Sequence, residues 1–379
     1  MACTSARPTF ITSGGRGWTG PVTSVGPAGF HRSFPDYRPT ALVRAPTLAA
    51  ELGVAAVLVK DESARMGLPA FKILGASWAV NRAVSAHLGH VGPATTLDAL
   101  RSRAGGGQAL TLVTATDGNH GRAVARMAAL LGVSARVYVP AGVSDAALDG
   151  IRGEAGSVRL VETGGVYDDA VGLAAASAQG QDHELLIQDT SWPGYEDVPR
   201  WIVEGYSTLF TEIDEQLPGV GAARVGLVAV PTGVGSLLQA AVEHHRRPAT
   251  TSPPAVLAVE PVTAACVTAS LLAGGPTSVD TSTPTIMTGL NCGTPSLAAW
   301  PSIAAGLDAA VGVTEDEDRR AVADLAHLGL DVGPCGAAAL AGVRAVLTDP
   351  DHRAALGVDR MTAVVLVSTE GLTANPVPL

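Results

Sequence analysis

Residues 111–132 read TLVTATDGNHGRAVARMAALLG. A β-branched run ends in a polar, glycine-containing turn, and an apolar pattern of helical period follows it. Strand, turn and helix in that order make the repeating unit of a parallel α/β sheet, because parallel strands need a long, usually helical, crossover. Residues 225–245, VGLVAVPTGVGSLLQAAVEHH, have the same plan with a richer glycine turn. Working outward, β-branched runs predict strands over Val54–Val59, Ala109–Thr114, Arg136–Val139, Ser157–Val161, Leu185–Gln188, Val225–Val230, Val256–Val259 and Ala363–Val367. Helical periodicity predicts Ile73–Leu88, Gly121–Leu131, Val198–Gln216, Leu237–His245, Asp316–Leu328 and Ala337–Leu347. So many strands in 379 residues exceed one comfortable open sheet. The expected fold is α/β: two open, mostly parallel twisted-sheet domains with helices on both faces. The first forty-odd residues lack periodicity and are expected to wrap the surface. Residues 104–108, 248–254 and 274–284 read as loops.

Composition narrows the function classes. The chain is 47% hydrophobic and 16% charged, which is apolar enough to exclude disorder. No run of about eighteen apolar residues exists to cross a membrane. The opening residues, MACTSARPTFITSGGRGW, lack the basic start and apolar core of a signal peptide, so the cytoplasm is the expected location. A net charge of −10 with no basic, aromatic-interleaved run argues against nucleic acid. Cys3, Cys266, Cys292 and Cys335 are too scattered for a disulfide scaffold or a zinc site, and no metal is expected.

Of the 25 basic residues only two are lysines, Lys60 and Lys72. Arginine serves wherever a plain positive charge is wanted, so a retained lysine is a candidate for amine chemistry that guanidinium cannot perform. Lys60 precedes Asp61 and Glu62 and reads as one half of an exposed structural ion pair. Lys72 lies between Phe71 and Ile73 where a helix begins, with no acid inside four residues. Burial and the positive helix end would push it toward the neutral amine.

Three turns carry the remaining chemistry. Thr116, Asp117, Gly118, Asn119 and His120 precede a helix, where backbone N–H groups suit a carboxylate, although Asp117 or Asn119 would also serve as a plain helix cap. Gly233, Val234, Gly235 and Ser236 suit a single phosphate. Glu260, at the end of the following strand, raises a dinucleotide site as the rival, but GVGSLL lacks the third glycine of that fingerprint. Asp189 follows a strand and stands near Trp192 and Tyr195, placed either as an acid/base group or as a turn residue. Ser368 and Thr369 end the last strand with hydroxyls suited to a ring nitrogen. His87, His90, His244 and His245 follow no metal-ligand spacing. A reactive lysine, a phosphate cradle, a carboxylate turn and a terminal hydroxyl together fit an amino acid held as an imine on pyridoxal phosphate.

In order, AFKILGA, TATDGNHG, PTGVGS and STEG resemble the tryptophan-synthase-like, fold type II pyridoxal-phosphate enzymes. The longer strings TATDGNHGR, QDTSWPGYEDVP and GLNCG are similar to those of the diaminopropionate ammonia-lyase family. The likeness runs from about Val57 to Leu372. It implies that Lys72 holds the cofactor as a Schiff base, that Gly233–Ser236 bind its phosphate, that Asn119 meets its phenolic oxygen, and that Ser368 or Thr369 meets its pyridine nitrogen. It makes Asp117 and Asp189 acid/base residues. It also implies a large domain of residues 1–84 plus 196–379, a small one of 85–195 with the active site in the cleft between them, and a homodimer. The implied reaction is α,β-elimination of D- or L-2,3-diaminopropionate to pyruvate and two ammonia through an aminoacrylate. The rivals are serine/threonine dehydration, β-replacement, or a non-catalytic pyridoxal-phosphate binder. Residues 262–284 are rich in Ala, Thr and Gly and are expected to shape the substrate entrance. Cys266 and Cys292 beside them are candidates for a restraining disulfide, which a cytoplasmic location opposes.

Overall fold

The computed structural model describes residues 7–21, 26–106, 109–154, 156–221 and 225–376. Cys3 and the end of the loop expected at 104–108 lie outside the described residues. The strands are β1 (Thr9–Ile11), β2 (Leu42–Arg44), β3 (Ala56–Asp61), β4 (Thr111–Ala115), β5 (Ser134–Val139), β6 (Val158–Glu162), β7 (Glu184–Leu186), β8 (Val225–Pro231), β9 (Ala255–Pro261), β10 (Ala309–Val313) and β11 (Ala363–Ser368). They form a seven-stranded sheet in the order β1-β10-β9-β8-β11-β3-β2 and a four-stranded sheet in the order β6-β5-β4-β7. The smaller sheet is parallel throughout, and the larger is parallel except at its two edges, β1 and β2. Every side chain of β9, β10 and β11 is buried, as expected of strands covered by helices on both faces. The chain is a mixed α/β protein built on two sheets. Among the described residues, no helix is long and apolar enough to cross a membrane.

All eight expected strands and all six expected helices form, with ends displaced by up to three residues. Sequence reading missed β1, β2 and β10. The first two are three-residue edge strands, whose pairing is imposed by a neighbour and not by their own pattern. The third, AAVGV, carries too few β-branched residues to stand out. The N-terminal segment is also corrected. It does not merely wrap the surface, because Phe30, Phe34 and Tyr37 are buried in the main core beside Trp78.

Lys60 is the larger correction. It is fully buried, not half of an exposed ion pair, and its bonded carboxylate is neither Asp61 nor Glu62 but Glu212 of the helix Asp197–Gln216. Its three ammonium protons go to Glu212 Oε2 at 2.7 Å, the Thr40 carbonyl at 2.8 Å and Gln216 Oε1 at 3.0 Å. Arg65 forks onto both oxygens of Glu62 and both oxygens of Glu212, with all four distances at 2.7 to 2.8 Å. Tyr37 OH and the Thr40 N–H complete Glu212, and Thr40 Oγ1 completes Glu62. Two buried cations and two buried carboxylates thus leave no lone charge, the condition under which such a group is tolerable. The cluster pins the segment that runs from β3 to Lys72. Lys60→Met, which removes one cation and leaves Glu212 with less compensation, should therefore cost about 3–5 kcal/mol of stability in urea unfolding.

Candidate active site

The carboxyl ends of β4, β7 and β11 deliver residues to a common cleft, and the turn after β8 is tied to it through Asp189. Lys72 reaches it from the start of the helix Lys72–His87. After β4, Thr116 Oγ1 accepts the N–H groups of Gly118 and Gly121, so the turn is held by a side chain that is not the N-cap. Gly121 has to be glycine there, since a Cβ would lie 2.2 Å from the Thr116 methyl. Gly118 occupies the cap position without a side-chain cap. Neither Asp117 nor Asn119 is consumed in capping. Asp117, Asn119 and His120 all line the cleft.

Lys72 Nζ donates to Asp189 Oδ2 at 2.7 Å. This corrects the expectation of a lysine without a compensating acid. The acid comes from the end of β7, far away in sequence. Burial disfavours charge on Lys72, yet Asp189 outweighs it, with smaller help from Tyr206 and Asp117, and holds the ammonium well above the ordinary lysine range. Burial likewise opposes the Asp189 charge, and the charge and hydrogen bond of Lys72, with a hydrogen bond from Tyr167, overturn that and keep the carboxyl well below its ordinary range. Tyr167 OH donates to Asp189 Oδ1 at 3.3 Å and itself accepts Gln188 Nε2 at 2.8 Å. His120 is buried, with Nε2 on the Ile187 carbonyl at 2.8 Å. A carbonyl can only accept, so Nε2 carries the proton and Nδ1 presents a lone pair. That atom has no hydrogen-bond partner and stands 3.9 Å from Asp189 Oδ2. Asp117 stays in contact with solvent at the mouth. The walls of the cleft push its pKa up, Lys72 opposes, and Asp189 adds to the rise.

After β8, Gly233 to Gly235 turn into the helix Ser236–His245. Gly235 has φ +98°, a left-handed conformation that a side chain disfavours, and a Cβ there would lie 2.6 Å from Ile303. A Cβ on Gly233 would lie 2.9 Å from Cys292 Sγ. The first-turn N–H groups of this helix have no acceptor within it and are free for an anion. Ser236 Oγ donates to the Asp189 carbonyl at 3.3 Å, which ties the phosphate-sized cradle to the lysine's partner. At the end of β11, Ser368 Oγ and Thr369 Oγ1 are buried and have no hydrogen-bond partner, although buried hydroxyls are normally satisfied. A cradle, a lysine and two orphaned hydroxyls fit a phosphorylated pyridine aldehyde.

Two sequence alternatives fall away. Glu260 is fully buried, and its oxygens are taken by the N–H groups of Val267 and Thr268 and by Thr268 Oγ1, at 2.7, 2.9 and 2.6 Å. It caps the helix Cys266–Ala273 and is not available to a ribose. Cys266 and Cys292 both approach Gly233, and both are free thiols. His244 and His245 are core residues packed on Phe210. Sequence reading missed Tyr167, Gln188 and Glu370, which join the site as partners of Asp189 and Asn119. A tyrosine opening a helix after a four-residue loop carries no local mark of that role.

The lysine–carboxylate pair generates a test. Lys72 keeps a quarter of its side chain exposed, whereas Lys60 keeps none, so an amine reagent distinguishes them. In Asp189→Asn, burial is left without its main opponent. The midpoint of Lys72 labelling, followed by peptide mass spectrometry, should fall by about one pH unit or more.

A family profile described as pyridoxal-phosphate dependent enzyme matches residues 34–369. The diaminopropionate ammonia-lyase of Salmonella typhimurium is 34% identical over 357 residues, covering 91% of this chain and 88% of that protein. The crystal structure of Escherichia coli diaminopropionate ammonia-lyase in complex with D-serine superposes with a TM-score of 0.85 at 30% identity, covering 96% of this chain and 94% of that one. The same enzyme with an aminoacrylate–PLP azomethine reaction intermediate gives 0.82 at 29% identity, covering 96% and 94%. With most of its length matched and a cleft suited to the cofactor, the chain belongs to the diaminopropionate ammonia-lyase family of fold type II pyridoxal-phosphate-dependent enzymes.

Proposed function

We propose that this enzyme converts 2,3-diaminopropionate into pyruvate and two molecules of ammonia by α,β-elimination. The observation that carries this reading is Lys72 on Asp189 at 2.7 Å, between the glycine cradle and the carboxylate turn, in a chain 34% identical to a diaminopropionate ammonia-lyase over 91% of its length. Pyridoxal phosphate, when bound, supplies the electron sink for charge developing at the α-carbon. Lys72 would hold it covalently, Gly233, Val234, Gly235 and Ser236 its phosphate, Asn119 its phenolic oxygen, and Ser368 or Thr369 its pyridine nitrogen. A neutral hydroxyl at that nitrogen would leave it unprotonated, which would favour elimination over transamination.

The chain's own groups move the protons. Thr116, Asp117, Gly118 and His120 would seat the substrate carboxylate and set the α-carbon before a base. Asp117 would take the α-proton from the D-isomer on the face away from Lys72. Asp189, paired with Lys72, would serve the L-isomer or pass a proton to the departing ammonia. Once Lys72 is engaged elsewhere, the Asp189 carboxylate, the Tyr167 hydroxyl and the His120 lone pair would face a β-ammonium group. That surrounding supports diaminopropionate over serine or threonine, whose β-hydroxyl brings no charge to satisfy Asp189.

The same proposal takes the two sheets as the cores of a large domain, 1–84 plus 196–379, and a small one, 85–195. It takes the active form to be a cytoplasmic homodimer. Free thiols at Cys266, Cys292 and Cys335 suit a reducing compartment. Light scattering on the purified holoenzyme tests the dimer.

Lys72→Ala should abolish both pyruvate release from diaminopropionate and the visible absorption of lysine-bound cofactor, because only an amine can form the imine. Full turnover in that variant would sink the reading. Asp117→Asn should lose about 10²-fold or more on D-diaminopropionate and much less on L. Asp189→Asn should show the opposite bias in the same coupled pyruvate assay. Equal losses on both isomers would mean that the carboxylates only hold the site together.

A further inference from the structure

Glu370 is a buried carboxyl at the cleft for which the elimination gives no role. It directly follows Ser368 and Thr369 and is 3% exposed. Oε2 accepts Asn119 Nδ2 at 2.7 Å, and Oε1 accepts the Cys335 N–H at 3.3 Å, in the first turn of the helix Pro334–Leu347. Its backbone is fixed on two sides. The Gly333 N–H donates to the Glu370 carbonyl at 2.9 Å, and residue 370 bridges Ala70, two positions before Lys72. A side chain on Gly333 would disturb this arrangement, because its Cβ would lie 2.8 Å from the Gly371 carbonyl oxygen and 3.2 Å from both Cγ and Oε1 of Glu370. The carboxyl is a rigid fixture of the large sheet. The amide it holds begins the helix Asn119–Leu131, which follows β4 of the small sheet.

An asparagine amide has one donor end and one acceptor end, which exchange on a half-turn of the side chain. Oriented either way without a partner, Asn119 would present a mixture of the two to a ligand. A carboxylate oxygen accepts only, so it selects Nδ2 and leaves the second Nδ2 hydrogen to the cleft. A phenolate oxygen requires that donor, and the opposite orientation would set Oδ1 against it.

Resting on the proposed contact between Asn119 and the phenolic oxygen, we infer that Glu370 is a positioning residue, which locks the Asn119 amide with its donor toward the cofactor and spans the two sheets in doing so. Burial, opposed by bonds from Cys335 and Asn119, raises the Glu370 pKa, and Asp117 adds to the rise. The helix end and the Asn119 donor are what favour the ionised form in such a place.

The test uses holoenzymes of Asn119→Ala, Glu370→Ala, Glu370→Gln and the double alanine variant, read by cofactor absorption maximum and by pyridoxal-phosphate affinity. Asn119→Ala should displace the absorption band. Glu370→Ala should displace it in the same direction and weaken cofactor binding by about tenfold, the loss of one charge-assisted hydrogen bond. The double variant should add nothing beyond Asn119→Ala, since both act through one contact. Glu370→Gln, which keeps one acceptor oxygen but sets a donor against the Cys335 N–H, should lie between. It also serves as the probe if the alanine variant does not fold. A wild-type spectrum and affinity in the Glu370 variants, beside a displaced band in Asn119→Ala, would overturn the inference and leave the Asn119 contact standing. An undisplaced band in Asn119→Ala would overturn that contact and the inference with it. Additive losses in the double variant would also overturn the inference, since they would make Glu370 a purely structural residue.

Discussion

The buried cluster of Lys60, Arg65, Glu62 and Glu212 is the constraint on which the site depends. Charges with no solvent contact are costly unless each finds a complete set of partners, and here each does. The partners come from the segment before β2, the end of β3, the loop after it and the helix Asp197–Gln216. Satisfying the charges therefore fixes how these elements meet. The loop carrying Arg65 leads within seven residues to Lys72, so a network chosen by electrostatics helps set where that lysine emerges. A hydrophobic replacement of similar volume would fill the space but would not specify the register so narrowly.

On that support sits a second pair with different properties. Lys72 is partly exposed and Asp189 is buried, and each holds the other charged against the cleft walls. Such a pair would suit the covalent role proposed for Lys72. Asp189 stabilises the ammonium of the free amine and would lose its cation if the amine were engaged. The unpaired His120 Nδ1 and the Tyr167 hydroxyl then complete an acceptor-rich corner. The aromatic pair Trp192 and Tyr195, stacked at 4.4 Å, closes the same strand end, with Tyr195 OH donating to the Leu186 carbonyl at 2.9 Å. Rigid walls around a mobile proton are what elimination chemistry needs, because geometry at the α-carbon decides which proton leaves.

The site joins the two sheets by more than one contact. Asn119 meets Glu370, Lys72 meets Asp189, Ser236 meets the Asp189 carbonyl, and Ser191 meets Ser296 at 2.8 Å. Most of these are made by residues that also face the cleft or its phosphate cradle. A ligand that took over Lys72 or Asn119, as proposed for the cofactor, would alter a bond between the two sheets.

Local sequence determined the strand–turn–helix units, the glycine turn before Ser236, the turn before Asn119 and the singularity of two lysines among many arginines. The units and turns are patterns within about twenty residues, where periodicity and turn chemistry act, and the lysine count is a property of the whole composition. Family resemblance added the cofactor and the order of the motifs. Only the tertiary structure decided which lysine is buried, which acid Lys72 meets, that Glu260 caps a helix, and that Glu370 holds Asn119. The bonds concerned join residues 152, 117 and 251 positions apart for Lys60–Glu212, Lys72–Asp189 and Asn119–Glu370. No local period encodes such a partner. The pKa of Lys72 depends on a carboxylate that the chain brings alongside only when both sheets are in place, and for that reason its charge could not be read from the apolar residues on either side of it.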